Sequence, residues 1–254
     1  VLGEGFVITH ELASALVLAN SRNAKVVNPY MNGDDLANRP DHSPSRSVIN
    51  FGDMSLEESM TFREPFEIVE RLVKPQRETV KREAYRKKWW QFAEKCSNLY
   101  SSIAGYDIVL VSGNVSKYLN FAFVPAGRVF TANVFVFTTR SFGDFACLQS
   151  AIHESFARMF SSTLETRLSY SPRDAFYTFP FPLTTEPLEE IGRQYHQMRS
   201  NILRKRGVGL TRFFNSFHDP ANHESELNSF RHLATEMNEQ VLAAYGWQDL
   251  ELEM

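Results

Sequence analysis

Between Ile108 and Arg140 the chain reads IVLVSGNVSKYLNFAFVPAGRVFTANVFVFTTR, with β-branched and aromatic residues alternating with Ser, Asn, Thr, Lys and Arg. Period-two alternation puts one set of side chains on a core face and the other on an open face, so this stretch predicts strands with one face free to touch something. Upstream, Thr9 caps a predicted helix over His10–Asn20, Val26-Val27 begins a strand, and Asn32-Gly33-Asp34-Asp35 signals a turn. After a polar loop, Val48 to Phe51 reads as a strand, and Ser55-Leu56-Glu57-Glu58 has capping-box spacing. The pattern over 65–100 is helical, with Pro75 opening a second helix or kinking one.

Beyond the strand-rich stretch, Ser141 caps a predicted helix running to about Phe160, Thr163 to Ser171 is extended or irregular, and Phe176 to Pro182 is extended. Leu188, Ile191, Tyr195, Met198 and Ile202 follow helical spacing until Gly207 and Gly209, and Leu227 to Ala244 repeats the pattern before Gly246. Together these elements predict an α+β fold: a mixed or largely antiparallel sheet with packed helices over 1–184, then a small helical subdomain over 185–254.

A chain of 254 residues with 43% hydrophobic content can bury a sizeable core. The formal net charge of -3 excludes a protein that coats nucleic acid through a general basic excess, yet leaves room for a local basic face. Such a face is offered by Arg71, Lys74, Arg77, Lys81, Arg82, Arg86, Lys87 and Lys88, diluted by Glu78 and Glu83. It reads either as a solvated helix side with i,i+4 pairs or as a phosphate-binding stripe. Cys96 and Cys147 are expected to be reduced core residues, which points to a cytoplasmic compartment. No apolar run approaches membrane-spanning length, and a start lacking Met and a basic segment suggests a piece of a longer protein.

The tools of catalysis are mostly missing. No GxSxG, CxxC, P-loop lysine motif or GxGxxG occurs, His153-Glu154-Ser155-Phe156 stops short of HExxH, and no Glu-x-Lys or Asp-x-Lys nuclease element is present. His218, Asp219, His223 and Glu224 read as a loop before a helix rather than a metal site. Asn28-Pro29-Tyr30 lacks one proline of the Asn-Pro-Pro-Tyr element of amino-group DNA methyltransferases and reads as a strand-to-turn junction.

Several blocks do recur together in a known family: Gly3-Glu4-Gly5-Phe6, Val27-Asn28-Pro29-Tyr30-Met31-Asn32-Gly33-Asp34-Asp35-Leu36, Val48-Ile49-Asn50-Phe51, Val73-Lys74-Pro75-x-Arg77 and Trp89-Trp90-x-Phe92. Leu148-Gln149-Ser150 with His153, Phe176 to Pro182, and the closing run from Leu233 to Leu250 continue the order. The chain resembles the C-terminal part of MmeI-like DNA methyltransferases of combined type IIG-IIL restriction-modification systems: the target recognition domain and the helical region after it.

This resemblance implies sequence-specific recognition of double-stranded DNA, a role in phage defence, and an upstream methyltransferase domain that carries S-adenosylmethionine and adenine-N6 catalysis. No cofactor, metal or catalytic residue is then expected in this chain. Base reading needs donors and acceptors held in a fixed pattern against groove edges. Lys117, Asn120, Arg128, Asn133 and Arg140 supply that chemistry, with Ser112, Asn114 and Ser116 leading to Tyr118. Lys74, Arg77, Lys81 and Arg82, with Arg167 and Arg173 behind them, are the expected phosphate contacts, on the rule that phosphates position and bases specify. The rival expectation is a protein-interaction or scaffold module without DNA contact.

Overall fold

The computed structural model describes residues 4–183 and 185–249. Gly3 and Leu250, at the ends of the family blocks, lie outside the described residues. The first elements are β1 (Val7–Ile8), α1 (His10–Ala19) and β2 (Val27–Met31). The Asn32 to Asp35 turn opens a short helix, α2 (Gly33–Asn38), whose first turn carries Asp34 and Asp35 against the positive end of the helix dipole. After β3 (Arg46–Ile49) comes α3 (Leu56–Met60), and both bonds of its capping box form: Glu58 N–H donates to Ser55 Oγ at 3.1 Å and Ser55 N–H to Glu58 Oε2 at 2.7 Å.

The helical pattern over 65–100 resolves into three pieces, α4 (Arg63–Glu78), α5 (Glu83–Lys87) and α6 (Ser97–Ser102). Pro75 sits inside α4 without ending it, and the breaks fall later. Trp89, Trp90 and Phe92 are buried in the core between these breaks, and Cys96 precedes α6 with φ 52°. Cys96 is exposed, not the core residue expected, whereas Cys147 is buried.

Five strands follow: β4 (Ile108–Gly113), β5 (Val115–Ser116), β6 (Phe121–Pro125), β7 (Val129–Phe130) and β8 (Val134–Phe137). The single helix expected from Ser141 to Phe160 is two, α7 (Phe142–Gln149) and α8 (Ala151–Phe160). Ser150 turns extended between them, and its Oγ accepts the His153 N–H to start the second. Thr163 to Ser171 holds the hairpin of β9 (Ser162–Leu164) and β10 (Arg167–Ser169). A π-helical turn over Pro172–Phe176 follows and takes in Phe176, the first residue of the stretch expected to be extended, since proline restrains only the residue before it.

The helical tail has three members, α9 (Glu186–Arg206), α10 (Leu210–Phe217) and α11 (Ser225–Tyr245), the first and last stopped by Gly207 and Gly246 at positive φ. Between the two expected helices, α10 is too short to show a period, although Leu210, Phe213 and Phe214 are all buried.

The chain divides into two compact units. Unit 1 comprises residues 1–32, 44–105 and 126–131, and unit 2 comprises 33–43, 106–125 and 132–254. Unit 1 holds one sheet in the order β1-β3-β2-β7, antiparallel except where Tyr30 and Met31 pair parallel to Val129 and Phe130. Phe6, Val48, Phe51, Phe66, Val69, Trp89 and Phe92 form its core. Unit 2 holds the antiparallel sheet β6-β4-β8 and the smaller sheet β5-β10-β9. Helix α9 packs on α7 at Gly192, where a Cβ would overlap the Phe142 carbonyl.

The α+β class is as the sequence predicts, but the stretch from Ile108 to Arg140 is not one sheet with an open face. Its β7 belongs to unit 1, its β5 pairs with β10, and Val109, Leu110, Val111 and Ser112 of β4 are all buried.

Candidate nucleic-acid interface

The polar chemistry of that stretch gathers in unit 2 where β5 leaves its sheet, in the loop from Ser116 to Asn120. Helical side chains grip this loop by its backbone. Gln149 at the end of α7 donates through Nε2 to the Leu119 carbonyl at 3.1 Å and accepts the Phe121 N–H through Oε1 at 3.0 Å. Arg158 of α8 donates to the Lys117 carbonyl at 3.1 Å, and Arg199 of α9 donates to the Phe121 carbonyl and to Gln149 Oε1. Backbone groups leaving a strand need partners, and here side chains far along the chain provide them.

The side chains of the loop are held as well. Lys117 Nζ donates to Asn215 Oδ1 at 2.9 Å and lies 4.8 Å from the Tyr118 ring centre. Tyr118 stacks on His218, with ring centres 4.3 Å apart and planes 15° apart, while Phe214 sits at 6.1 Å. Asn114 N–H donates to the Asn133 carbonyl at 3.0 Å, placing those two at the end of β4 and β8. Leu168 opposite Ser116 puts the neighbouring Arg167 in the same small sheet.

Unit 2 thus brings together Ser116, Lys117, Tyr118 and Arg167, with Asn114 and Asn133 as a second pair. Arg140 is exposed and lies 4.6 Å from the Tyr106 ring centre, and Arg173 is exposed on the π-helical turn. Arg128 belongs to unit 1, half-buried, with Nη1 3.5 Å from Met31 Sδ. Three expected DNA contacts lack reach. Ser112 is fully buried in β4, Asn120 is buried with Nδ2 donating to the Tyr118 carbonyl, and Arg77 is buried with Nη2 donating to the Gln91 carbonyl.

In unit 1 much of the basic face follows the solvated pattern. Lys74 pairs with Glu70 and Lys87 with Glu83, both at 2.8 Å. Arg82 donates to the Tyr85 hydroxyl, and Lys81 is exposed. Arg77 lies between the Phe6 and Tyr85 rings, and burial lowers its affinity for the proton.

Burial sets the charge states beneath the loop. It pushes His153 and His196 down to about 3, so both imidazoles are neutral near pH 7. His153 Nε2 meets the Tyr170 hydroxyl at 3.0 Å, and desolvation holds that phenol above its usual range. Tyr195 and Cys147 are each pushed up to about 12 by burial. His218 is lowered, first by desolvation and then by the surrounding cations against the pull of Glu154. A cavity of about 460 Å³ lies in unit 2, lined by Leu119, Arg158, Phe214, His218 and Met237 among others. Among the described residues no three His, Cys, Asp or Glu side chains gather as metal ligands, and no helix is long and apolar enough to cross a membrane.

Arg158, Arg199, Asn215 and His218 escaped a reading of the strand-rich stretch because they lie outside it. Gln149 lies in the Leu148-Gln149-Ser150 block noted in the sequence, and its side chain meets the loop's backbone.

Comparison with known proteins gives these features their class. A solved structure of the type IIL restriction-modification enzyme MmeI in complex with DNA superposes with a TM-score of 0.69 at 17% identity. The match covers 98% of this chain and 32% of that one, so the chain spans about a third of that enzyme's length. A family model described as "MmeI, target recognition domain" matches residues 2–183. No curated protein matches. The fold is shared with that structure, and the family model defines the chain as a target recognition domain. The chain belongs to the MmeI target recognition domain family.

Proposed function

We propose that the chain is the sequence-specific double-stranded DNA recognition module of an S-adenosylmethionine-dependent adenine methyltransferase with a restriction-modification role, and that methyl transfer is performed by a domain upstream of these residues. The family match over 2–183 carries the reading, and the pre-set loop at Lys117 and Tyr118 supports it. Base discrimination requires polar groups fixed before contact, because loose donors pay for their ordering on binding. The proposed readers are Asn114, Ser116, Lys117, Tyr118, Arg128, Asn133 and Arg140, and the proposed phosphate contacts are Lys74, Lys81, Arg82, Arg167 and Arg173. A DNA-associated cytoplasmic protein follows from this reading.

The test is binding to a cognate duplex and to random duplexes across a salt series. Lys81→Gln is expected to weaken both about equally and reduce the salt slope by about one unit, whereas Lys117→Ala costs about 1–3 kcal/mol on the cognate site alone. Binding without salt dependence would favour the scaffold reading. Equal losses on cognate and random DNA for Lys117→Ala would remove it from the readers.

A further inference from the structure

The loop that the proposed function makes a reading head is shaped only in part by its own residues, through Asn120 on the Tyr118 carbonyl and Lys117 beside the Tyr118 ring. Lys117 and Tyr118 leave a two-residue strand, β5, whose pairing with β10 ends at Ser116. Beyond that point, the contacts that fix their side chains come from one place, α10 and the residue that follows it. Asn215 holds the Lys117 ammonium at 2.9 Å, and the His218 ring covers one face of Tyr118 at 4.3 Å. Lys carries much rotamer freedom on its four-carbon stem, so an ammonium without an anchor samples many positions around a base edge.

We propose that Asn215 and His218 are specificity-determining positioning residues: they set the pose of Lys117 and Tyr118, so the choice of DNA sequence depends on a helix remote from the reading stretch. This rests on the proposed reading of the loop. The contacts suit that role better than a stabilising one. Lys117, Asn215 and His218 are exposed, and surface contacts of this kind alter stability little. What they do alter is the number of orientations a reader takes up, and a reader needs its geometry held to within about 0.5 Å. Arg158 completes the arrangement by bonding the Lys117 carbonyl, which fixes the backbone from which both side chains project.

One consequence concerns exchange of specificity. A transplant of residues 108–140 alone would carry the readers without their supports at 215 and 218.

Selection of bound duplexes from a randomised pool tests the inference, using the full-length protein with Asn215→Ala, His218→Ala, His218→Phe, Lys117→Ala and Tyr118→Ala, and thermal melting of each. Asn215→Ala and His218→Ala are expected to lower discrimination at the base positions that Lys117→Ala and Tyr118→Ala also relax, by about tenfold or about 1.4 kcal/mol, with melting temperature unchanged. His218→Phe keeps a flat ring under Tyr118 and is expected to restore discrimination. If the Lys117 and Tyr118 variants relax the sequence while the Asn215 and His218 variants do not, the inference is overturned and the reading loop stands. If His218→Ala loses discrimination together with melting temperature and His218→Phe restores neither, its role is structural and the inference is equally overturned. If none of the variants changes the selected sequence, the loop is not a reading head and both proposals fall.

Discussion

Each unit buries an arginine beside a glutamine, and the two pairs do different things. In unit 1, Arg77 reaches the carbonyl of Gln91, and Gln91 Nε2 donates to the Met54 carbonyl at 2.8 Å. Trp90 Nε1 reaches the same Met54 carbonyl at 2.9 Å, so this set ties the segment after α5 to the loop before α3. In unit 2, Arg199 and Gln149 together bond the backbone at Leu119 and Phe121, the exit of the reading loop. A buried charge is costly unless its hydrogen bonds are met, so each arginine marks a place where backbone would otherwise go unpaired. In unit 1 that backbone is scaffold. In unit 2 it is the base of the proposed site.

Substitution of the two arginines should show the contrast most strongly. Arg199→Ala loses packing between Phe145 and Tyr195 as well as two charged hydrogen bonds, and is expected to cost about 3–5 kcal/mol. Arg77→Ala loses the charged hydrogen bond to the Gln91 carbonyl and is expected to cost about 2–3 kcal/mol. Urea unfolding measures both. DNA discrimination in the folded fraction adds the sharper contrast, because it should fail for Arg199→Ala and survive Arg77→Ala. Equal loss of discrimination would erase the distinction between scaffold and site.

Acid should strike unit 2 next in order of size. His153 and His196 both lie there, with native values near 3 against about 6.5 when exposed. The native state therefore binds fewer protons than the unfolded chain below pH 6.5, and stability falls as pH drops through that window toward 3. At pH 5 each histidine is expected to remove about 2 kcal/mol. Melting temperatures from pH 7 to 5 would check this, and His153→Phe should flatten the slope. An unchanged slope in both His153→Phe and His196→Phe would assign the acid sensitivity elsewhere.

The smallest effect belongs to the surface of unit 1. Lys74→Gln breaks an exposed i,i+4 pair with Glu70 and is expected to change stability by less than about 1 kcal/mol. A loss several times larger would mean that the 5.1 Å approach of Lys74 to the Trp89 ring carries real packing energy.

These contrasts explain what could be read from the sequence. The long helices α9 and α11 and the capping box at Ser55 declare themselves through period and caps, which are local. The helical stretch over 65–100 misled because Trp89 and Trp90 are as compatible with a helix face as with the irregular segment that tertiary burial imposes. Likewise the alternation in β4 suggested an open face where Ser112 is buried, since alternation records polarity and not what covers it. The candidate loop was legible as polar residues among strands. Its supports were not, because Arg158, Arg199, Asn215 and His218 reach it only through the fold.

The threading of the chain between the two units also has a consequence in time. Residues emerge from the ribosome at roughly 5–20 per second, N-terminal first. Strand β2 is made by residue 31, but its parallel neighbour β7 arrives only at residues 129–130, on the order of ten seconds later. Until then one edge of the nascent sheet stands open, a template for pairing with other chains. Pro29 within β2, unable to donate from its nitrogen, offers a partial guard against such pairing during that interval.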